Sequence, residues 1–408
     1  MRGRRGVPVL LALVLVACSS DVGDTAPTAP GSVADTVGTT GESTSTTSTD
    51  EPSTTDASTT STEASIDDLP ARSSTDDLPA DAACAMTPVP AAGETTFVFE
   101  GKLWSVDDTG EFACLADLDG RNPSWIQWSP DGDEVLIGPD VVLRNDGRFV
   151  DTGYFPENRA LRWSEPTGKA FIAPNAQTGH LVWRNAHDST ERIDVSFMER
   201  TTAAVYHPAG KHIVAAGTGS DGLGEGIFLA SNRGANPTRL GSIEHGEVTG
   251  LAFDPTGDSF TFLHSHPDGT TEVHRYTLPF NQLDTLATYT GESATGLVTS
   301  AADNGAAAWV VAHSTIANRV ELTSPSSFGV VRMALPTESV ATPLSWLPGE
   351  RLLVGVRPVG GTDVGAYDVW QWSNGQSARI IDGVQAAAAR TPHSPYVELN
   401  IIPGSGFG

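Results

Sequence analysis

Short apolar runs, each preceded by a polar turn, recur along the chain from about residue 97 onward. The clearest turn is Trp128-Ser129-Pro130-Asp131-Gly132, and the run that follows it is Val135-Leu136-Ile137. Pro130 fixes its own φ, Asp131 supplies a side-chain acceptor, and Gly132 is free to take a positive φ. The pattern predicts a tight connection between two β-strands, of which the second is short and buried.

Five altered copies of this turn follow, and each of them precedes another strand-like run. The glycines of the six turns are separated by 36, 42, 47, 48 and 44 residues. A period in the forties with four short strands per unit is typical of propeller blades, and a β-sandwich would not repeat one turn at this step. The sequence therefore predicts an all-β propeller. Its turn glycines are Gly132, Gly168, Gly210, Gly257, Gly305 and Gly349.

The two ends of the repeat region decide the number of blades. Three strand-like runs, at 95–99, 102–106 and 112–116, precede the first full motif and lack an innermost strand of their own. Residues 384–395, after the last full unit, can supply that strand, and pairing the chain ends would remove the exposed edges of an open ring. We therefore expect seven blades, with the N- and C-terminal strands closing the ring; six blades is the alternative.

The blade motif, Trp128 to Gly132 followed by Asp133-Glu134-Val135-Leu136-Ile137, resembles the repeat of TolB-type, WD40-like propellers of bacteria. The same pattern is similar to the propeller repeats of prolyl oligopeptidase-like enzymes. The fifth copy departs from it, because residues 300–305 contain neither the aromatic residue nor the proline. The resemblance implies the fold from about residue 97 onward, but repeat residues that form turns and core imply no activity.

The N-terminal residues have the pattern of an export signal. Three arginines within residues 2–5 precede an apolar run over 7–17 that is too short to span a bilayer. Leu15-Val16-Ala17-Cys18 resembles the lipobox of bacterial lipoproteins, which implies that 1–17 is removed and Cys18 is lipidated. An ordinary signal peptide with a chance cysteine is the alternative. Lipidation would anchor the chain to the outer face of the cell membrane.

Residues 18–83 have the composition of a disordered tether. Between residues 19 and 83, 27 of 65 residues are Ser or Thr, 13 are acidic, and none is Phe, Tyr or Trp. Such a segment cannot bury enough apolar surface to offset the entropy of ordering. We expect a plain spacer, with O-glycosylation as an alternative, which holds a propeller of residues 84–408 away from the membrane.

The predicted propeller segment contains 37 acidic and 20 basic residues, within a chain of net charge −26. This balance argues against nucleic acid and against adhesion to anionic lipid head groups. With Cys18 assigned to the lipid, Cys84 and Cys114 remain as a pair, and a disulfide is expected in an exported protein. Two buried free thiols are the alternative, since Cys114 lies in a strand-like run.

Candidate chemistry is sparse. Nucleophilic catalysis of the oligopeptidase kind needs a Gly-x-Ser-x-Gly elbow, and the nearest sequence, around Ser220, has the wrong spacing. His264 and His266 would share one face of a strand, and His274 would return beside them after a turn, in a geometry that suits zinc or copper. No obvious carboxylate or cysteine completes a closed site, and a hairpin end rich in His, Ser, Asp and Thr is more often a solvated loop. We therefore assign no catalytic, cofactor or metal-binding residues.

The sequence favours an exported lipoprotein whose propeller binds another protein or peptide of the cell envelope, with no nucleic acid and no cofactor. Recognition would use loops held by rigid strands, and the candidates are Pro267 to Thr271 and Gly217 to Gly226. One alternative is an enzyme, a glycan lyase or hydrolase, with its site in the central funnel. Another is a protein that binds a small ligand or a metal. Convergent titratable groups would indicate the enzyme, whereas an apolar or aromatic patch would indicate the binding module.

Overall fold

The computed structural model describes residues 72–85, 93–121, 123–138, 141–151, 162–163, 170–174, 179–185, 192–195, 197–220, 222–241, 246–313, 318–359 and 365–390. The chain divides into two units, Met1–Ser61 and Thr62–Gly408, and all of these residues belong to the second. The predicted signal peptide, Cys18 and most of the predicted tether therefore lie outside the described residues. Among those described, no helix combines the length and apolar character needed to cross a bilayer.

The described residues form seven four-stranded antiparallel sheets, which we number 1 to 7 along the chain. In sheets 2 to 7 the four strands lie side by side in chain order. The strands of sheets 2 to 4 are β4 (Ile126–Trp128), β5 (Val135–Ile137), β6 (Val141–Leu143), β7 (Phe149–Asp151), β8 (Arg162–Trp163), β9 (Ala170–Pro174), β10 (Leu181–Asn185), β11 (Arg192–Val195), β12 (Met198–Tyr206), β13 (His212–Gly219), β14 (Gly224–Ser231) and β15 (Thr238–Gly241).

Sheets 5 to 7 repeat the same order with longer strands. They comprise β16 (Glu247–Phe253), β17 (Ser259–Ser265), β18 (Thr270–Thr277), β19 (Gln282–Thr290), β20 (Ser293–Thr299), β21 (Ala307–Ala312), β22 (Asn318–Thr323), β23 (Val331–Arg332), β24 (Ser339–Leu347), β25 (Arg351–Pro358), β26 (Tyr367–Ser373) and β27 (Gln376–Val384).

Sheet 1 joins the two ends of the folded region. Its strands are β28 (Ala386–Ala389), β1 (Thr95–Phe99), β2 (Lys102–Val106) and β3 (Phe112–Asp117), in that order. β28 pairs antiparallel with β1, from Ala386 opposite Val98 to Ala389 opposite Thr95. The predicted pairing of the chain ends is therefore present, although its inner strand is shorter than the 384–395 segment proposed for it. Residues 391–395 lie outside the described part of the chain.

The predicted turns lie between the first and second strands of sheets 2 to 7, and the apolar runs are the second strands. In the first turn, Gly132 N–H donates to the Ser129 carbonyl at 2.8 Å, and Asp131 accepts from Asp133 N–H at 3.1 Å. In each turn that the structure describes, the glycine has a left-handed backbone conformation. Gly168 lies outside the described residues. The values of φ are 73° at Gly132, 69° at Gly210, 77° at Gly257, 80° at Gly305 and 79° at Gly349.

Neighbouring sheets pack face to face through apolar side chains. Core clusters join sheets 1 and 2, 3 and 4, 4 and 5, 5 and 6, 6 and 7, and 7 and 1. Between sheets 2 and 3, the Trp163 Nε1 donates to the Gln127 carbonyl at 3.4 Å. Trp128 makes a similar bond to Thr96 Oγ1 of sheet 1 at 2.8 Å. The motif aromatic thus ties its sheet to the preceding one, while burying an apolar ring.

The folded part begins earlier than the sequence predicted. The tether was expected to run to residue 83, but Arg72 N–H donates to the Arg379 carbonyl at 3.0 Å, and Thr75 N–H donates to Asp382 at 3.1 Å. Thr75–Asp77 form a 3-10 helix. Leu78 packs against the apolar cluster between sheets 7 and 1. The polar composition of residues 72–83 did not indicate this attachment, because the segment is held mainly by hydrogen bonds to β27 rather than by apolar burial.

Cys84 and Cys114 form a disulfide, with the two sulfurs 2.03 Å apart. Cys114 is buried in β3, and Ala85 N–H donates to its carbonyl at 3.1 Å. The bond fastens the segment before the first sheet to the outermost strand of that sheet.

Turn glycines differ in how closely other residues approach them, and this difference is testable. A Cβ on Gly257 would overlap the buried His207 imidazole, whereas a Cβ on Gly349 would meet nothing within 4 Å. Both glycines have a positive φ. We expect Gly257→Ala to lower the free energy of unfolding by about 2–3 kcal/mol, from backbone strain plus overpacking, and Gly349→Ala by about 1 kcal/mol. Equal urea midpoints for the two variants would contradict this packing.

His207 makes stability depend on pH. Burial, followed by the nearby charge of His212, lowers the pKa of His207 to about 4. An unfolded chain has a histidine pKa near 6.5, so between these values the unfolded state binds more protons and stability falls as the pH falls. We expect a loss of about 2 kcal/mol from this group between pH 7 and pH 5.

Asparagine at position 207 is the matched variant for this test. His207 Nδ1 accepts from Ala209 N–H at 3.0 Å, and an asparagine oxygen can accept the same bond in an Asx turn. Urea unfolding at the two pH values should show a shallower pH dependence in His207→Asn than in the wild type. Identical dependence would assign the effect to other groups.

Candidate functional site

The sheets have two distinct ends. The repeated motif turns lie at one end, which we call the turn end. The hairpins between second and third strands lie at the other, the hairpin end, together with the connections from one sheet to the next. Both predicted recognition loops lie at the hairpin end, on adjacent sheets 4 and 5. The predicted loop from Gly217 to Gly226 is shorter than expected, because β13 and β14 remain paired as far as Gly219 and Gly224.

The strand register of the β17–β18 hairpin in sheet 5 brings four titratable side chains together. They are His264, His266, Glu272 and His274. His264 pairs with Glu272, and Phe262 pairs with His274. Because directly paired residues point to the same side of a sheet, His264, Glu272 and His274 share one face. The His264 ring lies 4.0 Å from that of His266 and 6.1 Å from that of His274, centroid to centroid.

The shared face packs toward sheet 4. Phe260, Phe262 and Tyr276, on the same side as the histidines, belong to an apolar cluster with Val214 and Ile227 of sheet 4. The titratable cluster therefore lies at the hairpin end of the boundary between sheets 4 and 5, above that apolar core.

Glu272 is the hub of the cluster. Its Oε2 lies 3.0 Å from His266 Nε2 and 3.1 Å from His274 Nε2. The other ring nitrogen of His274, Nδ1, lies 3.1 Å from Thr285 Oγ1 on β19. Both ring nitrogens of His274 are thus engaged, which fixes the orientation of the imidazole.

His264 contrasts with its neighbours. It is only 9% exposed, and its Nε2 has no hydrogen-bond partner among the described residues. Gly246 lies directly against this nitrogen, since a Cβ at position 246 would overlap it. Buried polar atoms without a partner are uncommon in native proteins and cost about 1–3 kcal/mol.

Burial governs the protonation of the cluster. Desolvation, together with the nearby His266 and His274, lowers the pKa of His264 to about 4. Desolvation also lowers the pKa of His274, although Glu272 opposes the shift. Burial acts to raise the pKa of Glu272, but hydrogen bonds and charge from His266 and His274 outweigh it and hold that pKa below its usual range. At neutral pH the site therefore contains a carboxylate and two neutral buried imidazoles.

A small cleft adjoins the cluster between sheets 4 and 5. It has a volume of about 30 Å³, and Arg200, Glu225, Gly246 and Glu247 are among its lining residues. Arg200 and Glu247 form an ion pair at 3.5 Å, with both side chains more than half exposed. Exposed pairs of this kind contribute little to stability. The interior of the cleft has room for about two water molecules.

The donor set at this site is one that metal ions use. His264, Glu272 and His274 each offer one ligand atom, and these atoms all lie within 4.8 Å of one another. The sequence predicted the convergence of the three histidines but missed Glu272. The signal was available, because the Pro267-Asp268-Gly269 turn fixes the register that places residue 272 opposite residue 264. The assignment of no metal ligands therefore overlooked the carboxylate that completes the cluster.

Consecutive four-stranded antiparallel sheets, packed face to face with the chain ends paired in one sheet, define a β-propeller. The described part of the chain has this fold. No family model matches the sequence, and no curated protein matches it.

Several solved propellers resemble the chain. A putative TolB from Agrobacterium tumefaciens is 16% identical, with a TM-score of 0.44, over 60% of this chain and 88% of its own. TolB from Acinetobacter baumannii is 16% identical, with a TM-score of 0.38, over 74% and 69%. An oligogalacturonate lyase in complex with manganese is 12% identical, with a TM-score of 0.43, over 62% and 79%.

Proposed function

We propose that this chain is an exported, lipid-anchored propeller of seven blades that binds a protein or peptide of the cell envelope. Seven sheets of four strands, with sheet 7 packed on sheet 1 and β28 paired with β1, support the blade count and a closed ring. A closed ring removes exposed strand edges and leaves loops as the variable surface.

Export and anchoring are supported by the sequence of residues 1–18 and by the Cys84–Cys114 disulfide, a bond that persists in oxidising compartments. If Cys18 carries the lipid, Cys18→Ala will move the chain from the membrane fraction to the soluble extracytoplasmic fraction. A variant that still sediments with membranes would contradict lipid anchoring at this residue, without bearing on the binding function.

The observation that carries the binding function is the cleft at the hairpin end of sheets 4 and 5. There, charged side chains stand on paired strands, so their backbone positions are fixed by the sheets before a partner arrives. Such preorganisation lowers the cost of association. Arg200, Glu225 and Glu247 give this surface charges of both signs, which suits a polar protein or peptide partner.

The turn end offers weaker support for recognition. Phe280 and Phe328 are the large exposed aromatics of the described residues, and both lie there. They stand on different sheets, and single exposed apolar residues are ordinary on protein surfaces.

An enzyme with its site in the funnel would place titratable groups on innermost strands, whereas the cluster described here lies on second and third strands.

Co-purification from native membranes tests the proposal. Full-length wild-type chain is expected to retain an envelope protein that Arg200→Glu, which reverses a charge at the cleft, largely fails to retain. Arg148→Glu is the matched control, because Arg148 also forms an exposed ion pair, with Asp146 at 3.5 Å, but lies at the turn end. Equal retention by both variants would contradict recognition at the cleft.

A further inference from the structure

We propose that His264, Glu272 and His274 bind one divalent ion of the zinc class at the hairpin end of sheet 5. The proposal does not depend on the partner-binding function, since it rests on side chains of one hairpin and on the orphaned nitrogen of His264. It does place the ion beside the cleft at which a partner would bind.

The ligand atoms are already close to the positions a metal requires. Zinc binds imidazole nitrogen and carboxylate oxygen at about 2.0–2.2 Å, so tetrahedral ligands stand roughly 3.3–3.6 Å apart. The three candidate atoms lie within 4.8 Å of one another, and the Glu272 Oε2 to His274 Nε2 separation is 3.1 Å. To bind one ion, no two of these atoms need to approach each other by more than about 1.5 Å.

The strongest argument for an ion comes from His264. Its Nε2 is buried without a partner, although the carboxylate of the paired residue Glu272 stands on the same face. An ion held by His264 Nε2 would satisfy this nitrogen directly, using the lone pair of the neutral ring. Without an ion, the fold retains a buried nitrogen at a cost that an apolar side chain at the same place would avoid.

Two further residues have the geometry of outer partners. Thr285 Oγ1 stands against His274 Nδ1, which holds Nε2 toward the site. His266 Nε2 contacts Glu272 Oε2 and is more exposed than the other two rings. Hydrogen bonds of this type orient metal ligands, and their loss typically weakens metal binding about 10–100-fold.

The donor set selects the metal class. Two imidazoles and one carboxylate suit zinc and its neighbours, whereas magnesium and calcium prefer sites built entirely from oxygen. Three protein ligands leave one tetrahedral position open. A water molecule would complete the tetrahedral shell.

Equilibrium dialysis of the metal-free full-length chain against zinc chloride tests the assignment. We expect one zinc ion per chain, no comparable binding of magnesium, and at least tenfold weaker zinc binding in His264→Ala and in His274→Ala. His313→Ala is the matched control, since it removes an exposed histidine of sheet 6 at the same end and should bind zinc as the wild type does.

X-ray absorption spectroscopy at the zinc edge, carried out on the wild type, keeps the test independent of how the variants fold. Two imidazole nitrogens and one carboxylate oxygen at about 2.0–2.2 Å would support the site. The proposal is overturned if the wild type takes up no zinc, if the zinc shell lacks imidazole, or if folded His264→Ala and His274→Ala bind zinc like His313→Ala. None of these outcomes would decide whether a partner binds at the cleft.

Discussion

Replacing Trp346 with alanine is expected to lower the free energy of unfolding by about 3–5 kcal/mol. The indole is only 2% exposed, and its Nε1 donates to the Val298 carbonyl of sheet 6 at 3.3 Å. It also meets Trp372 edge to face, with ring centroids 6.4 Å apart. Truncation would leave a cavity between sheets 6 and 7 and remove the bond that joins them. Urea unfolding of the full-length wild type and variant measures the change.

Phe328→Ala is the control for this prediction. Phe328 is an aromatic residue that is fully exposed, so its truncation should change the free energy of unfolding by no more than about 0.5 kcal/mol. A Trp346→Ala variant as stable as Phe328→Ala would mean that sheets 6 and 7 do not pack through this ring.

Removing the disulfide is expected to lower the free energy of unfolding by about 3–4 kcal/mol. Cys84 and Cys114 are 30 residues apart, and the chain-entropy relation gives about this value for a loop of that length. The double variant Cys84→Ser, Cys114→Ser is compared with the oxidised wild type by urea unfolding. Reduction of the wild type should reproduce the loss, while reduction should leave the double variant unchanged.

The disulfide prediction fails in a recognisable way. If the double variant unfolds at the same urea concentration as the oxidised wild type, the bond does not constrain the unfolded chain. If mass spectrometry finds two free thiols in the exported protein, the alternative considered for Cys84 and Cys114 is correct.

Much of the fold was predictable because its repeat depends on local chemistry. A proline and a glycine one or two residues apart favour a turn, and an apolar run after the turn indicates a buried strand. Even the fifth copy kept the turn without its proline, since Ser300 Oγ accepts from Asp303 N–H at 2.9 Å and Gly305 keeps a positive φ. Steps of about forty residues then imply four strands in each unit.

What the sequence did not reveal depends on contacts between distant residues. Residues 72–83 have a tether's composition, yet Asp382, about 300 positions later, receives their hydrogen bonds. The alanines of β28 carry little strand propensity, and their assignment as an inner strand relied on the need of sheet 1 for a fourth strand.

Part of the candidate site could be predicted from the sequence. Alternation along β17 and the turn after it were enough to bring three histidines together. Glu272 could have been added from the register that the Pro267-Asp268-Gly269 turn sets. The burial of His264 could not, because it depends on Gly246 and sheet 4, which lie outside the hairpin.

Site-specific photo-crosslinking in intact cells tests the proposed function most directly. A photoreactive residue would replace Asp268 or Glu225, exposed at the hairpin ends of sheets 5 and 4, or Phe328 at the turn end. We expect the same envelope protein to be captured from positions 268 and 225 and not from 328. Capture only through position 328, or from none of the three, would contradict recognition at the hairpin end.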